Sequence, residues 1–155
     1  MTALLEPKGI IGRMLHRLDA VRRRRRARAA LVAADLLAFE DAYARHYIPG
    51  ETKVPDVGRP FLLRPRRLRP RGGVVVTHGF LAAPMEVRAL GEALCRAGYV
   101  VYGVRLAGHG TAPEDIALRP WDEWYGSLEH GVAVLETFTD KIALCGFSIG
   151  GCLSL

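Results

Sequence analysis

The apolar positions of this chain change their spacing several times between the two ends. Residues 13–47 contain no Pro and no Gly and are rich in Ala, Leu and Arg, all good helix formers. Leu31, Val32, Leu36, Leu37 and Phe39 make a loose helical stripe there, and Pro49-Gly50 stops it. From 49 to 73 proline and arginine dominate. "RPFLLRPRRLRPRGG" fits one or two edge strands broken by proline, not a central strand.

Beyond residue 72 the texture is different. "GVVVTHG" (73–79) is a continuous β-branched run, as a parallel strand buried on both faces reads. "PMEVRALGEALCRAG" (84–98) places Met85, Leu90 and Leu94 at helical spacing and ends on Gly98. "YVVYGVRL" (99–106) predicts a second strand and "GHGTAPED" (108–115) a loop. "WDEWYGSLEHGVAVLETF" (121–138) predicts a helix with an inward face of Trp121, Trp124, Tyr125, Leu128, Val132 and Leu135. "KIALCGF" (141–147) predicts a third strand. Strands alternating with helices predict a parallel sheet with helices on its faces, joined by right-handed crossovers.

Charge divides the chain at about the same place. Residues 1–71 carry 17 Lys and Arg against 7 Asp and Glu, while residues 72–155 carry 5 against 9. The net charge of +6 therefore belongs to the N-terminal segment, which reads as an appended basic arm. Asp35 interrupts its short apolar stretch, and Glu40 and Asp41 close it, so a secretion signal is not expected. No stretch approaches the ~20 apolar residues of a spanning helix. Cys95, Cys145 and Cys152 have no metal-ligand spacing and are expected as reduced, mostly buried thiols.

Candidate chemistry sits at the end of the third predicted strand, in Gly146-Phe147-Ser148-Ile149-Gly150, which is G-x-S-x-G. A strand that turns at once into a helix crowds the residue at the turn, and glycine two positions to either side removes the colliding side chains. The serine hydroxyl is then pushed out above the sheet. The free N–H of Ile149 and the positive end of the following helix face any negative charge that develops on a substrate carbonyl. "THGF" (77–80) ends the first buried strand, so the N–H of Phe80 could enter the same space after the turn at Gly79. His78 and His109 read better as loop pins than as catalytic bases. His16, His46 and His130 read as surface residues.

Together "VVVTHGF", "AGYVVYGVRLAGHGTAPED", "WDEWYGSLEHGVAVL" and "IALCGFSIGG" resemble, in order and spacing, the α/β-hydrolase superfamily. The likeness is to its monoacylglycerol-lipase-like and carboxylesterase-like branch, or to serine aminopeptidases of the S33 type, over residues 72–155. The resemblance implies an incomplete α/β-hydrolase fold, a mostly parallel sheet with flanking helices, preceded by an Arg-rich helical arm. Residues 1–50 would be the arm or linker and residues 51–155 the N-terminal portion of the hydrolase domain. Ser148 would be the nucleophile, and Phe80 and Ile149 the two oxyanion amides. His78, Gly79, Gly146 and Gly150 would support them. The substrate implied is a small acyl ester cleaved through an acyl-serine, with no cofactor and no metal.

In that fold the acid and the histidine follow the serine in the chain, and here seven residues follow Ser148. The expectation is a fragment of a longer hydrolase, inactive alone because a serine without a base is a poor nucleophile. A second reading is a non-catalytic binding protein that uses the Arg22–Arg28 cluster on an anionic membrane or nucleic acid. For nucleic acid there is no helix-turn-helix, stacking-aromatic or zinc pattern. The expected location is cytoplasmic, with the membrane reading adding a peripheral attachment.

Overall fold

The computed structural model describes residues 10–155, with side chains from residue 12 onward. The first nine residues of the predicted 1–50 arm lie outside the described residues. The chain runs as a long helix α1 (Ile10–Arg45), a single turn α2 (Pro55–Gly58), and the strands β1 (Phe61–Leu63) and β2 (Gly73–Thr77). A 3₁₀ turn (Pro84–Val87) then leads into α3 (Arg88–Arg96). Next come β3 (Val100–Val104), α4 (Pro113–Ala117), α5 (Trp121–Glu136), β4 (Ile142–Gly146) and α6 (Ile149–Leu153). The 108–115 stretch read as loop thus ends in a short helix, begun by Pro113 at its first position.

The four strands lie in the order β1-β3-β2-β4. β2 is parallel to both neighbours, with Gly73 opposite Val100 on one side and Ile142 on the other. β1 caps the opposite edge antiparallel to β3, Phe61 facing Gly103. Every residue of β2 and β3 is buried, which is why both lack the polar alternation of a one-sided sheet. Their side chains alternate between two cores. Val75, Val100, Tyr102 and Val104 pack with Leu128, Val134 and Leu135 of α5, and Leu31 and Val32 of α1 join them. Val74, Val76 and Val101 pack on the other face with Phe61, Val87 and Leu94.

Two helical segments depart from the inward faces that their spacing predicts. In α5, Leu128, Gly131, Val134 and Leu135 reach the sheet, while Trp121 in the first turn and Tyr125 on the flank stay exposed. In the 84–98 segment Met85 and Leu90 face outward, and Val87, Gly91 and Leu94 approach the sheet instead. The cysteines also depart from expectation: Cys95 and Cys145 are half-buried and Cys152 is exposed. Cys145 lies on β4, a strand at the sheet edge whose Ala143 and Leu144 are exposed because it is paired on one side alone.

The second half of α1 is fastened to the sheet layer by specific contacts. Arg28 donates from Nε to Thr137 Oγ1 (3.1 Å) and from Nη2 to Thr137 O (3.2 Å), with its guanidinium 3.5 Å from the Phe138 ring centroid. Asp35 accepts a hydrogen bond from the Tyr102 hydroxyl. Burial, with this carboxylate beside it, holds the phenol well above its ordinary range. Phe39 and Ala42 are buried. Two histidines read as surface residues belong to this seam and are half-buried. His130 Nε2 lies 3.0 Å from Leu31 O, and His46 Nε2 lies 3.5 Å from Asp115 Oδ1. Among the described residues no helix is long and apolar enough to cross a membrane.

Candidate active site

The strand tips of β2 and β4 lie side by side, Thr77 opposite Gly146, and each is followed by a sharp turn. Past β4 the chain enters α6 within two residues, and Ser148 takes the turn with φ 53° and ψ −120°. This backbone is costly for a residue with a Cβ, of order 1–3 kcal/mol, and survives only where its surroundings dictate it. Here they do. A Cβ on Gly146 would overlap the carbonyl group of Gly150. A Cβ on Gly150 would sit 2.7 Å from the carbonyl oxygens of Thr77 and His78. The two glycines thus let α6 start directly against both strand tips. Ser148 itself is exposed, and its hydroxyl has no hydrogen-bond partner among the described residues.

The turn after β2 comes up against this serine. A Cβ on Gly79 would lie 3.2 Å from the Phe147 ring and 3.5 Å from Ser148 Cβ. A side chain at 79 would thus press on the Phe147 ring, whereas the left-handed residue of the turn is Leu81, at φ 58°. The chain turns back on itself there, with Ala82 N donating to Gly79 O at 3.3 Å. Among the described residues neither the Phe80 N–H nor the Ile149 N–H has a protein acceptor. Each follows a residue of the Gly79–Ser148 contact.

His78 is fully buried and uses both ring nitrogens. The N–H of Leu106 donates to Nε2 (3.2 Å), which puts the proton on Nδ1, and Nδ1 donates to Gly79 O (2.9 Å). Burial lowers its pKa to about 4, so the ring is neutral near pH 7. It ties β2's tip to the segment after β3 and has no nitrogen left for a substrate. His109 lies with its ring 5.0 Å from that of His78 and 5.6 Å from Trp124, and Phe80 packs 6.0 Å from both His109 and Trp124. His109 Nδ1 faces Ala107 O at 3.2 Å, while its buried Nε2 has no partner among the described residues. Burial depresses its pKa as well.

Two contributors carry no sequence signature. Trp124 supports Phe80 and donates from Nε1 to Ala107 O (3.1 Å); its spacing marks it only as a helix core residue. Asp115 is buried at the centre of a charge cluster. Its Oδ1 accepts from Arg119 Nη2 (2.8 Å) and Nε (3.0 Å), and its Oδ2 from Thr111 (2.9 Å), with Arg105 at 3.5 Å. Burial alone would raise this carboxyl, but the Arg119 and Thr111 hydrogen bonds and neighbouring positive charge bring it below its ordinary value. Arg105 in turn donates from Nε to His109 O (2.7 Å), so the cluster braces the Gly-His-Gly loop. A cavity of about 230 Å³ opens beside Leu81 and Ala82, walled by Thr111, Ala112 and Ile116. It adjoins the Phe80 turn and is not lined by Ser148. No group of three His, Cys, Asp or Glu able to hold a metal ion occurs among the described residues.

The arrangement offers an exposed hydroxyl on a strained turn and, one residue after each side of the Gly79–Ser148 contact, a backbone N–H without an acceptor among the described residues. No histidine or carboxylate among the described residues reaches Ser148 through a hydrogen bond, and the nearby His78 is already committed.

The fold has relatives among known proteins. No family model matches the chain. It is 41 % identical over 83 residues to a thermostable monoacylglycerol lipase of Bacillus sp. strain H-257, a match covering 54 % of this chain and 33 % of that protein. It is 32 % identical over 98 residues to a carboxylesterase of Bacillus subtilis strain 168, covering 61 % of this chain and 40 % of that one. A solved structure from work on two metagenome-derived lipolytic enzymes, LipS and LipT, superposes with a TM-score of 0.59 at 35 % identity. That match covers 65 % of this chain and 39 % of the other. The chain thus spans about a third to two fifths of the length of the relatives it matches.

Proposed function

From the premise that this chain is an α/β-hydrolase relative, we propose that Ser148 is the nucleophile of a serine hydrolase acting on carboxylic acyl esters. One observation carries the reading: Ser148 is held at φ 53° on the tip of β4, exposed and against Gly79, and neither the Phe80 nor the Ile149 N–H has an acceptor among the described residues. Ser148 Oγ attacks the ester carbonyl carbon as its proton passes to a base. The carbonyl π electrons move to oxygen, and the Phe80 and Ile149 N–H groups receive that charge. Collapse of the intermediate expels the alcohol, which takes up the proton and leaves an acyl-serine. Water then attacks the same carbon and releases the acid. His78, Gly79, Gly146 and Gly150 hold the two turns together and touch no reacting atom. The cavity beside Leu81 is suited to part of a small acyl ester. The base and its acid partner have to come from outside the described residues, because none of these reaches Ser148.

The test has two parts. A fluorophosphonate probe, which needs an activated serine, should label Ser148 in the full product of the gene, and the same product should hydrolyse short esters or monoacylglycerols. Ser148→Ala should remove both activities by about 10⁴-fold or more. Ser148→Gly should do the same while raising stability by roughly 1 kcal/mol, since glycine relieves the backbone. Unchanged labelling in Ser148→Ala would overturn the assignment.

We also infer an anionic membrane surface as a partner of the arginine cluster on α1. Arg22–Arg26 are all exposed, whereas Arg28 is turned to Thr137 and Phe138 and drops out of the predicted set. Basic side chains near an anionic lipid surface contribute about 1 kcal/mol each. A lipid-like ester would then be met at the surface where it resides.

A further inference from the structure

The apolar stripe of α1 read from the sequence, Leu31 to Phe39, follows the arginines and is largely used up inside the protein. Leu31 and Val32 join the core, Leu36 is half-buried and Phe39 is fully buried. A different set of apolar side chains is left free, and it precedes the arginines. Met14, Leu15, Leu18 and Val21 are 62, 57, 45 and 54 % exposed. They recur at offsets of one, four and seven residues from Met14, so they share one side of the helix. Arg13, Arg17 and Arg24 fall to one side of that stripe and Arg26 to the other, Arg22 and Arg25 extend its own face by a further turn, and Asp19 is the sole acid between 13 and 26. A helical surface that leaves four large apolar residues in water, flanked by arginines, is unlike a solvated arm, whose exposed face is polar throughout.

We propose that residues 13–26 of α1 are an interfacial helix that lies in the plane of an anionic bilayer. In this position Met14, Leu15, Leu18 and Val21 enter the boundary between headgroups and acyl chains. The arginines reach outward to lipid phosphates while their methylene stems stay along the apolar border. Charge complementarity selects the occupant. Seven arginines between 13 and 26 would repel a second copy of the same face, and duplex nucleic acid offers nothing to receive the stripe. The proposal rests on the membrane reading of the cluster and adds insertion to what would otherwise be attraction alone; it is independent of Ser148. Arg28, Asp35 and Phe39 then join the inserted half of the helix to the sheet, so that docking and the hydrolase layer move as one piece.

Flotation of the full chain with phosphatidylcholine vesicles, with and without phosphatidylglycerol, tests the two layers separately. The expected result is binding to the anionic vesicles alone. Leu15→Ser/Leu18→Ser/Val21→Ser, which leaves the charge unchanged, should weaken it roughly tenfold or more. Replacing Arg22–Arg26 by Gln should weaken it roughly a hundredfold or more. A Leu18→Trp reporter in the otherwise unaltered chain should shift its emission to the blue on vesicle addition. Binding that depends on the arginines but is untouched by the serine substitutions, with no Trp shift, overturns insertion and leaves the membrane reading in place. Absence of binding to anionic vesicles, or equally tight binding to duplex DNA, overturns both. A salt-resistant dimer dissolved by the serine substitutions would assign the stripe to a second copy and overturn the proposal.

Discussion

The turn at 146–150 and the free half of α1 specify their roles in opposite ways. At the turn the information lies in side chains that are missing. Gly146 and Gly150 are required because backbone occupies the space where a Cβ would go, and Ser148 is strained because the turn from β4 straight into α6 holds it at φ 53°. On residues 13–26 the information lies in side chains that are present, since most of them stay exposed among the described residues and their pattern decides what they can meet. A site built by exclusion is brittle toward the smallest substitution, whereas a surface built by pattern responds to the sum of its charges. The difference teaches that one methyl group can matter more than a whole guanidinium, depending on which kind of region receives it.

The largest effect should therefore come from a single methyl. Gly146→Ala places a carbon inside the Gly150 carbonyl group, and neither strand tip nor helix can withdraw without losing the β2–β4 register. The cost should exceed about 3 kcal/mol, read from urea unfolding or from loss of soluble protein. A mild effect would break the contrast, because it would show the turn to be adaptable.

A comparable effect should come from protons. His78 is neutral in the folded protein with its pKa lowered to about 4, against 6.5 for the free side chain. The unfolded chain thus binds a proton before the folded one does. His78's contribution is complete above pH ~6.5 and is lost progressively as pH falls towards 4, amounting to up to about 3 kcal/mol. His109, lowered in the same direction, adds to the loss. Asp115 acts in a more acid window, because its carboxyl lies below the ordinary value and protonates later. Unfolding midpoints measured from pH 7.5 to 4.5 should fall steadily, and a flat profile would show that these rings are not held neutral.

The smallest effects belong to α1, and they should differ within the helix. Arg28→Ala removes two hydrogen bonds to Thr137 and the contact with Phe138, which should cost about 1–2 kcal/mol. Arg24→Gln, on the free half, should change stability by less than about 0.5 kcal/mol. Equal effects would mean that the two halves are not held differently.

Much of the sheet was legible because its signals are local. The β-branched runs of β2 and β3 need burial on both faces, and the paired glycines around Ser148 announce a close approach. The positions of β1 and β4 also follow from the sequence, by proline content for the first and by alternation with helices for the second. What stayed hidden depends on partners far along the chain. Nothing in an Ala-, Leu- and Arg-rich helix says that Arg28 meets Thr137, that Asp35 meets Tyr102 or that His46 approaches Asp115. The free apolar stripe was hidden for the same reason: which leucines of α1 remain uncovered is known only once the others have found the sheet. At the site, Leu81 gave no warning of its left-handed backbone, since glycine is the residue that pattern reading expects there.

The placement of β2 between β3 and β4 has a consequence for how the chain is made. Its first partner begins at Val100, but the second begins at Ile142, about 70 residues after Gly73. At a synthesis rate of about 5–20 residues per second, one flank of the valine run waits roughly 4–14 s for that partner to leave the ribosome. During that interval the nascent chain presents an unpaired apolar edge to its neighbours. A partner that covers this edge until β4 arrives would then raise the yield of folded protein.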